Sequence, residues 1–159
     1  FLLASRHTST PGTRDARPVL RPATPANGAR EVRHTPPAAA LSSRLGERTA
    51  GAVLTATMFR HTPKKSKEPG EGLSKFDFAT VKVPLLLVHH VSDQCASTPY
   101  GDAARLSEKF PLISVFGGAT PQSGPCEPFS QHGFLGKESE TVEQIVNWMM
   151  KRPFSQEVK

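Results

Sequence analysis

The chain has 159 residues, with 20 Lys+Arg against 14 Asp+Glu, a formal net charge of +6 with histidines neutral and a pI near 9.7. Its longest apolar stretch runs only from Val83 to Val88 and contains Pro84, far short of the roughly 20 residues a membrane-spanning helix needs. The length suits one ordinary domain, and the basicity makes a nucleic acid or an acidic surface the first partner to weigh.

The charge lies at one end. Residues 1–50 carry eight arginines and no lysine against Asp15, Glu31 and Glu47, a balance of +5, which leaves +1 for residues 51–159. Six prolines fall between Pro11 and Pro37, and no aromatic residue follows Phe1 before residue 51. Such a composition cannot offset the cost of ordering a backbone, about 1–2 kcal/mol per residue. Residues 1–37 are therefore expected to form an irregular, disordered Arg/Pro-rich segment, and residues 38–159 a folded domain. Without interleaved aromatics or a recognised fold motif, the arginines support only non-specific, salt-sensitive nucleic-acid binding. Phe1-Leu2-Leu3-Ala4 is too short for the apolar core of a secretory signal. A sequence starting at Phe rather than Met reads as a fragment or a processed product.

From residue 38 the pattern changes. Ala38 to Arg48 reads as a short helix with Leu41 and Leu45 four apart, and Ala52 to Met58 as a buried strand. His61 to Lys75 is a polar loop broken by Pro63, Pro69, Gly70 and Gly72, its Lys64, Lys65 and Lys67 facing water. Val81 to His90 is the strongest strand, and its apolar run does not alternate, as expected for a strand of a parallel sheet covered on both faces. Thr98 and Pro99 are expected to start a helix as N-cap and first helical residue. Ala103, Leu106 and Phe110 form its apolar face and Pro111 ends it. Leu112 to Phe116 is a further strand, closed by Gly117-Gly118. Ser139 to Met150 is a helix with Val142, Ile145, Val146 and Met149 on one face. The order predicts an α/β fold with a mainly parallel sheet flanked by helices.

In open sheets of this class, ligands bind at the carboxyl ends of the strands. One such end is His89-His90 followed by Asp93, and the next leads from Phe116 through Gly117-Gly118 to His132. A carboxylate after one strand and a histidine after the next suit a nucleophile–base–acid triad, in the chain order nucleophile, acid, histidine. His89 and His90 read as structural, one facing the core and the other the strand-end crevice. Cys95 and Cys126 are an even count and can pair, tying the Asp93 loop to the His132 loop. The rival is a zinc site built from His89, His90, Cys95, Cys126 and His132. Those spacings match no common zinc pattern, so no metal is expected. Paired cysteines would point to a secreted or periplasmic location and unpaired ones to the cytoplasm; the compartment stays open.

Several of these residues together resemble the C-terminal half of a bacterial α/β-hydrolase family. They are Val83-Pro84-Leu85-Leu86-Leu87-Val88-His89-His90, Asp93, Cys95, Pro99, Gly117-Gly118, Cys126 and His132-Gly133-Phe134, preceded by Arg44-Leu45-Gly46-Glu47-Arg48 and Gly51-Ala52-Val53-Leu54-Thr55. The resemblance spans about residues 38–150 and implies a partial α/β-hydrolase-like domain. By the same resemblance, Asp93 is the acid, His132 the base, a small-molecule ester the substrate, and no cofactor is needed. It further implies an upstream serine in a G-x-S-x-G elbow. The nearest match is Leu3-Ala4-Ser5-Arg6-His7, where Ser5 would be the nucleophile and the Arg6 backbone N–H an oxyanion donor. Leu3 and His7 stand where the elbow has glycines, so an inactive hydrolase-like module is the alternative to a serine esterase.

Overall fold

Leu85-Leu86-Leu87-Val88 has no polar side to turn toward water, and the computed structural model places it in the middle of a sheet. The structure describes residues 50–60 and 72–159. The four strands are β1 (Ala52–Thr55), β2 (Leu85–His90), β3 (Leu112–Val115) and β4 (Glu157–Val158). They lie in the order β1-β2-β3-β4, and every neighbouring pair is parallel. With helices α1 (Tyr100–Leu106) and α2 (Glu138–Met149) between strands, this is an α/β fold with an all-parallel sheet. Among the described residues no helix is long and apolar enough to cross a membrane.

Successive strand residues point to opposite faces, which divides the core in two. On one face Ala52, Leu54, Leu85, Leu87 and Leu112 pack with Phe59, Leu73 and Ala103, and α1 closes that layer through Tyr100 and Leu106. On the other, Val53, Leu86, Val88, Ile113, Val115 and Val158 meet Ile145, Trp148 and Met149 of α2. All six residues of β2 are buried: Leu85 to Val88 by their unbroken apolar pattern, and the His89 and His90 rings with hydrogen-bond partners inside the fold.

Several boundaries differ from the sequence expectation, each for a local reason. β1 stops at Thr55 because Ala56 has φ 41° and the next amide, Thr57 N–H, leaves the ladder for the His89 ring. β2 starts at Leu85 because Pro84 has no N–H to give the sheet; its carbonyl accepts from Ala52 N–H at 2.8 Å. Helix α1 begins at Tyr100 with Pro99 in the cap position, and Thr98 does not cap it. It ends at Leu106, and turns rather than helix carry the chain on to Pro111. The core face of α2 is rotated from the expected stripe: Val142 and Val146 are exposed, while Thr141 is buried and Trp148 faces the sheet. The indole sets that rotation by seating against Gly51, where an added Cβ would stand 3.1 Å from the ring. Strand β4 falls after the last element expected, because a two-residue strand has no periodicity to read. The Ala38–Arg48 helix, the domain boundary at residue 38 and most of the His61–Lys75 loop lie outside the described residues; Leu73–Lys75 is a short 3₁₀ turn.

Candidate active site

Two loops meet above the carboxyl ends of β2 and β3. The first leaves β2 at His90 and carries Asp93. The second leaves β3 and carries His132 in a short 3₁₀ turn, Gln131–Gly133. His132 Nδ1 lies 3.1 Å from Asp93 Oδ2, across 39 residues of sequence. The Asp93 side chain is fully buried and the His132 side chain 23% exposed, so solvent or a small molecule can reach the imidazole but not the carboxylate.

The Asp93 carboxylate is well provided with donors. Cys95 N–H donates to Oδ1 at 2.8 Å, and the Thr98 hydroxyl donates to Oδ2 at 2.7 Å. Burial alone would push the Asp93 pKa up. The hydrogen bonds from His132, Cys95 N–H and Thr98, with the adjacent imidazole charge, outweigh it and hold the group below its ordinary value. The acid is thus ionised at neutral pH. A carboxylate lone pair facing Nδ1 requires a proton on that nitrogen, which leaves Nε2 as the basic atom of the ring.

The His132 turn is positioned just as closely. The Ser130 hydroxyl oxygen accepts from His132 N–H at 3.2 Å and donates to the Glu127 carbonyl at 2.7 Å. Gly133 packs so tightly that a Cβ there would lie 1.9 Å from the Pro128 carbonyl oxygen. Phe134 turns the chain with φ 63° and sends its ring into the α2-side core. The disulfide Cys95–Cys126 joins the two loops, with Cα atoms 4.7 Å apart.

The neighbouring histidines are both buried, so neither lines an open crevice. His89 accepts from Thr57 N–H through Nε2 at 2.8 Å, which places its proton on Nδ1. Burial lowers its pKa to about 4; Asp93 draws it up and His132 pushes it down. His90 accepts from Ser92 N–H through Nδ1 at 3.0 Å and turns Nε2–H to the Gly117 carbonyl at 3.0 Å. It ties the Asp93 loop to the glycine turn after β3.

Of the residues expected at the site, Asp93, His132, Cys95 and Cys126 come together. Ser5 and Arg6 lie outside the described residues. The zinc alternative loses both its sulfurs to the disulfide, and among the described residues no cluster of three or more metal-ligand side chains occurs. Thr98, Ser130 and Gly133 complete the site, and the sequence reading assigns none of them a role there. Ser130 caps the His132 turn and Gly133 ends it, so a cap residue two before a histidine and a glycine just after it are a signal that could have found them. No protein-family model, curated protein or solved structure matches the chain.

Proposed function

We propose that the chain carries the acid–base half of an α/β-hydrolase-like site and acts as a serine hydrolase on small-molecule esters. The observation that carries this reading is the Asp93–His132 contact, 3.1 Å, made by loops that follow adjacent parallel strands. A serine hydroxyl at Nε2 gives up its proton to His132 as it attacks the ester carbonyl. Asp93 holds the ring in the correct tautomer and stabilises the imidazolium formed in that step. His132 then returns the proton to the leaving alkoxide, and water repeats the cycle on the acyl-enzyme. Ser5 is the candidate nucleophile and Arg6 N–H the candidate oxyanion donor. The partial-hydrolase fold belongs to the same proposal; strand, acid loop, helix, strand and histidine loop follow in the order such a domain requires.

The test is covalent labelling of the full chain with a fluorophosphonate, followed by mapping of the adduct. An adduct on Ser5 that disappears in His132→Ala supports the assignment. An adduct on another serine, still dependent on His132, keeps the hydrolase and replaces Ser5. A folded chain that takes no label and turns over no short-chain p-nitrophenyl ester is the inactive module, and the proposal fails.

A further inference from the structure

Thr98 lies in the loop between Asp93 and α1 with a side chain almost wholly buried. It has a single hydroxyl proton to give, and Asp93 Oδ2 at 2.7 Å is a far better acceptor than the Cys95 carbonyl at 3.4 Å. With that proton committed, the Thr98 oxygen turns a lone pair toward His132 Nδ1, 3.2 Å away. Nδ1 therefore faces two acceptors, Asp93 Oδ2 and Thr98 Oγ1, and no donor. A ring with its proton on Nε2 would set a bare Nδ1 against both oxygens, which is repulsive. The titratable groups coupled to His132 here are Asp93 from the β2–α1 loop and His89 from β2, whose buried ring stays neutral near pH 7.

We infer that Thr98 is a positioning residue of this site: its hydroxyl clamps the Asp93 carboxylate and holds the His132 proton on Nδ1, keeping Nε2 basic. The inference rests on the acid–base reading above, but its main readout does not need turnover. The residue works through Asp93 and His132 and touches no substrate.

The experiment is nitrogen and carboxyl-carbon NMR on the full chain, comparing the native protein with Thr98→Val and Thr98→Ser. The native protein is expected to show His132 with a protonated Nδ1 and an unprotonated Nε2. In Thr98→Val the second tautomer becomes visible and the Asp93 carboxyl titrates at higher pH, because one donor to the carboxylate is gone. Thr98→Ser restores both signatures. If Thr98→Val keeps one tautomer and an unchanged Asp93 titration, the inference is wrong. Should the valine variant not fold, the native protein alone decides. A slowly exchanging Thr98 hydroxyl proton, lost when Asp93 is protonated, supports the clamp, and its absence overturns it. Where ester turnover is found, Thr98→Val lowers kcat about tenfold with KM unchanged, the size expected for one hydrogen bond to a charged group. An unchanged kcat in an active enzyme overturns the positioning role. Absence of turnover in every protein, with the NMR signatures present, sinks the hydrolase reading and leaves the clamp standing.

Discussion

Cys95 and Cys126 are covalently joined across 31 residues of chain, and each sits in the loop that carries one member of the candidate acid–base pair. Cys95 also donates its N–H to Asp93 Oδ1, so the cross-link ends on a residue that holds the carboxylate directly. In the chain-entropy account, closing a loop of this length restricts the unfolded state by about 3–4 kcal/mol. Reduction, or the double change Cys95→Ala with Cys126→Ala, is expected to lower unfolding stability by about that amount. Urea unfolding with and without a dithiol reductant measures it. A loss below about 1 kcal/mol would mean that the two loops hold each other without the bond.

Asp93→Asn tests the acid without changing its shape. The amide can still accept from Cys95 N–H, but it no longer carries the charge that fixes a proton on His132 Nδ1. If the hydrolase reading holds, kcat is expected to fall about 10³- to 10⁴-fold with KM nearly unchanged, as in other triads that lose the acid's charge. Steady-state kinetics on a short-chain p-nitrophenyl ester checks this. A fall of less than tenfold would remove Asp93 from the proposed mechanism.

His89 gives the fold an acid sensitivity of its own. Its pKa is about 4 in the folded protein, against 6.5 for the unperturbed side chain. The unfolded chain therefore binds more protons between these values, and stability falls as pH drops from 6.5 toward 4. The difference corresponds to about 3 kcal/mol at most. Asp93 acts in a separate window: its pKa is lowered from 3.8, so its contribution is present above that value and is lost at lower pH. Denaturant unfolding at several pH values should show the His89 slope, and His89→Gln should flatten it, since the amide oxygen can still accept from Thr57 N–H. A slope that persists in the glutamine variant assigns it to another group.

The parallel sheet was readable because Leu85-Leu86-Leu87-Val88 has no polar face; only cover on both sides makes such a run stable in water, and that implies the whole layer arrangement. The meeting of Asp93 with His132 was readable for a related reason: each follows a recognisable strand, and the carboxyl ends of neighbouring parallel strands lie side by side on one edge of the sheet. What escaped was decided by contacts that the local pattern does not encode. Thr98 stands before a proline, where local rules favour a helix cap, yet the helix starts one residue too late for it, with Pro99 in the cap position, and the Thr98 hydroxyl sits on the buried Asp93 carboxylate instead. On α2, two valines and an isoleucine outweighed one tryptophan in the periodicity, but in the fold the large ring against Gly51 sets the rotation and leaves Val142 and Val146 outside. Strand β4 depends on β3 for its hydrogen bonds and has no signature of its own.

Gly133 and Gly101 provide a matched pair of substitutions with opposite expected signs. A Cβ at Gly133 would meet the Pro128 carbonyl oxygen at 1.9 Å and its carbon at 2.6 Å. Both are backbone atoms, so the turn itself must shift, and His132 is the next residue along it. Gly133→Ala is expected to cost about 2 kcal/mol or more of stability, in the range of overpacking at a tight site. It should also separate His132 from Asp93, seen as a changed His132 ring spectrum and, in an active enzyme, a lower kcat. At Gly101, within α1 and exposed, nothing lies within 4 Å of an added Cβ. Gly101→Ala is expected to stabilise by about 0.5–1 kcal/mol through helix propensity alone, leaving the His132 spectrum untouched. Urea unfolding of both variants, with the His132 signals followed by NMR, checks the pair. If Gly133→Ala is as harmless as Gly101→Ala, the Pro128 contact does not constrain the turn, and the rigidity of the His132 loop must come from Ser130 and the disulfide.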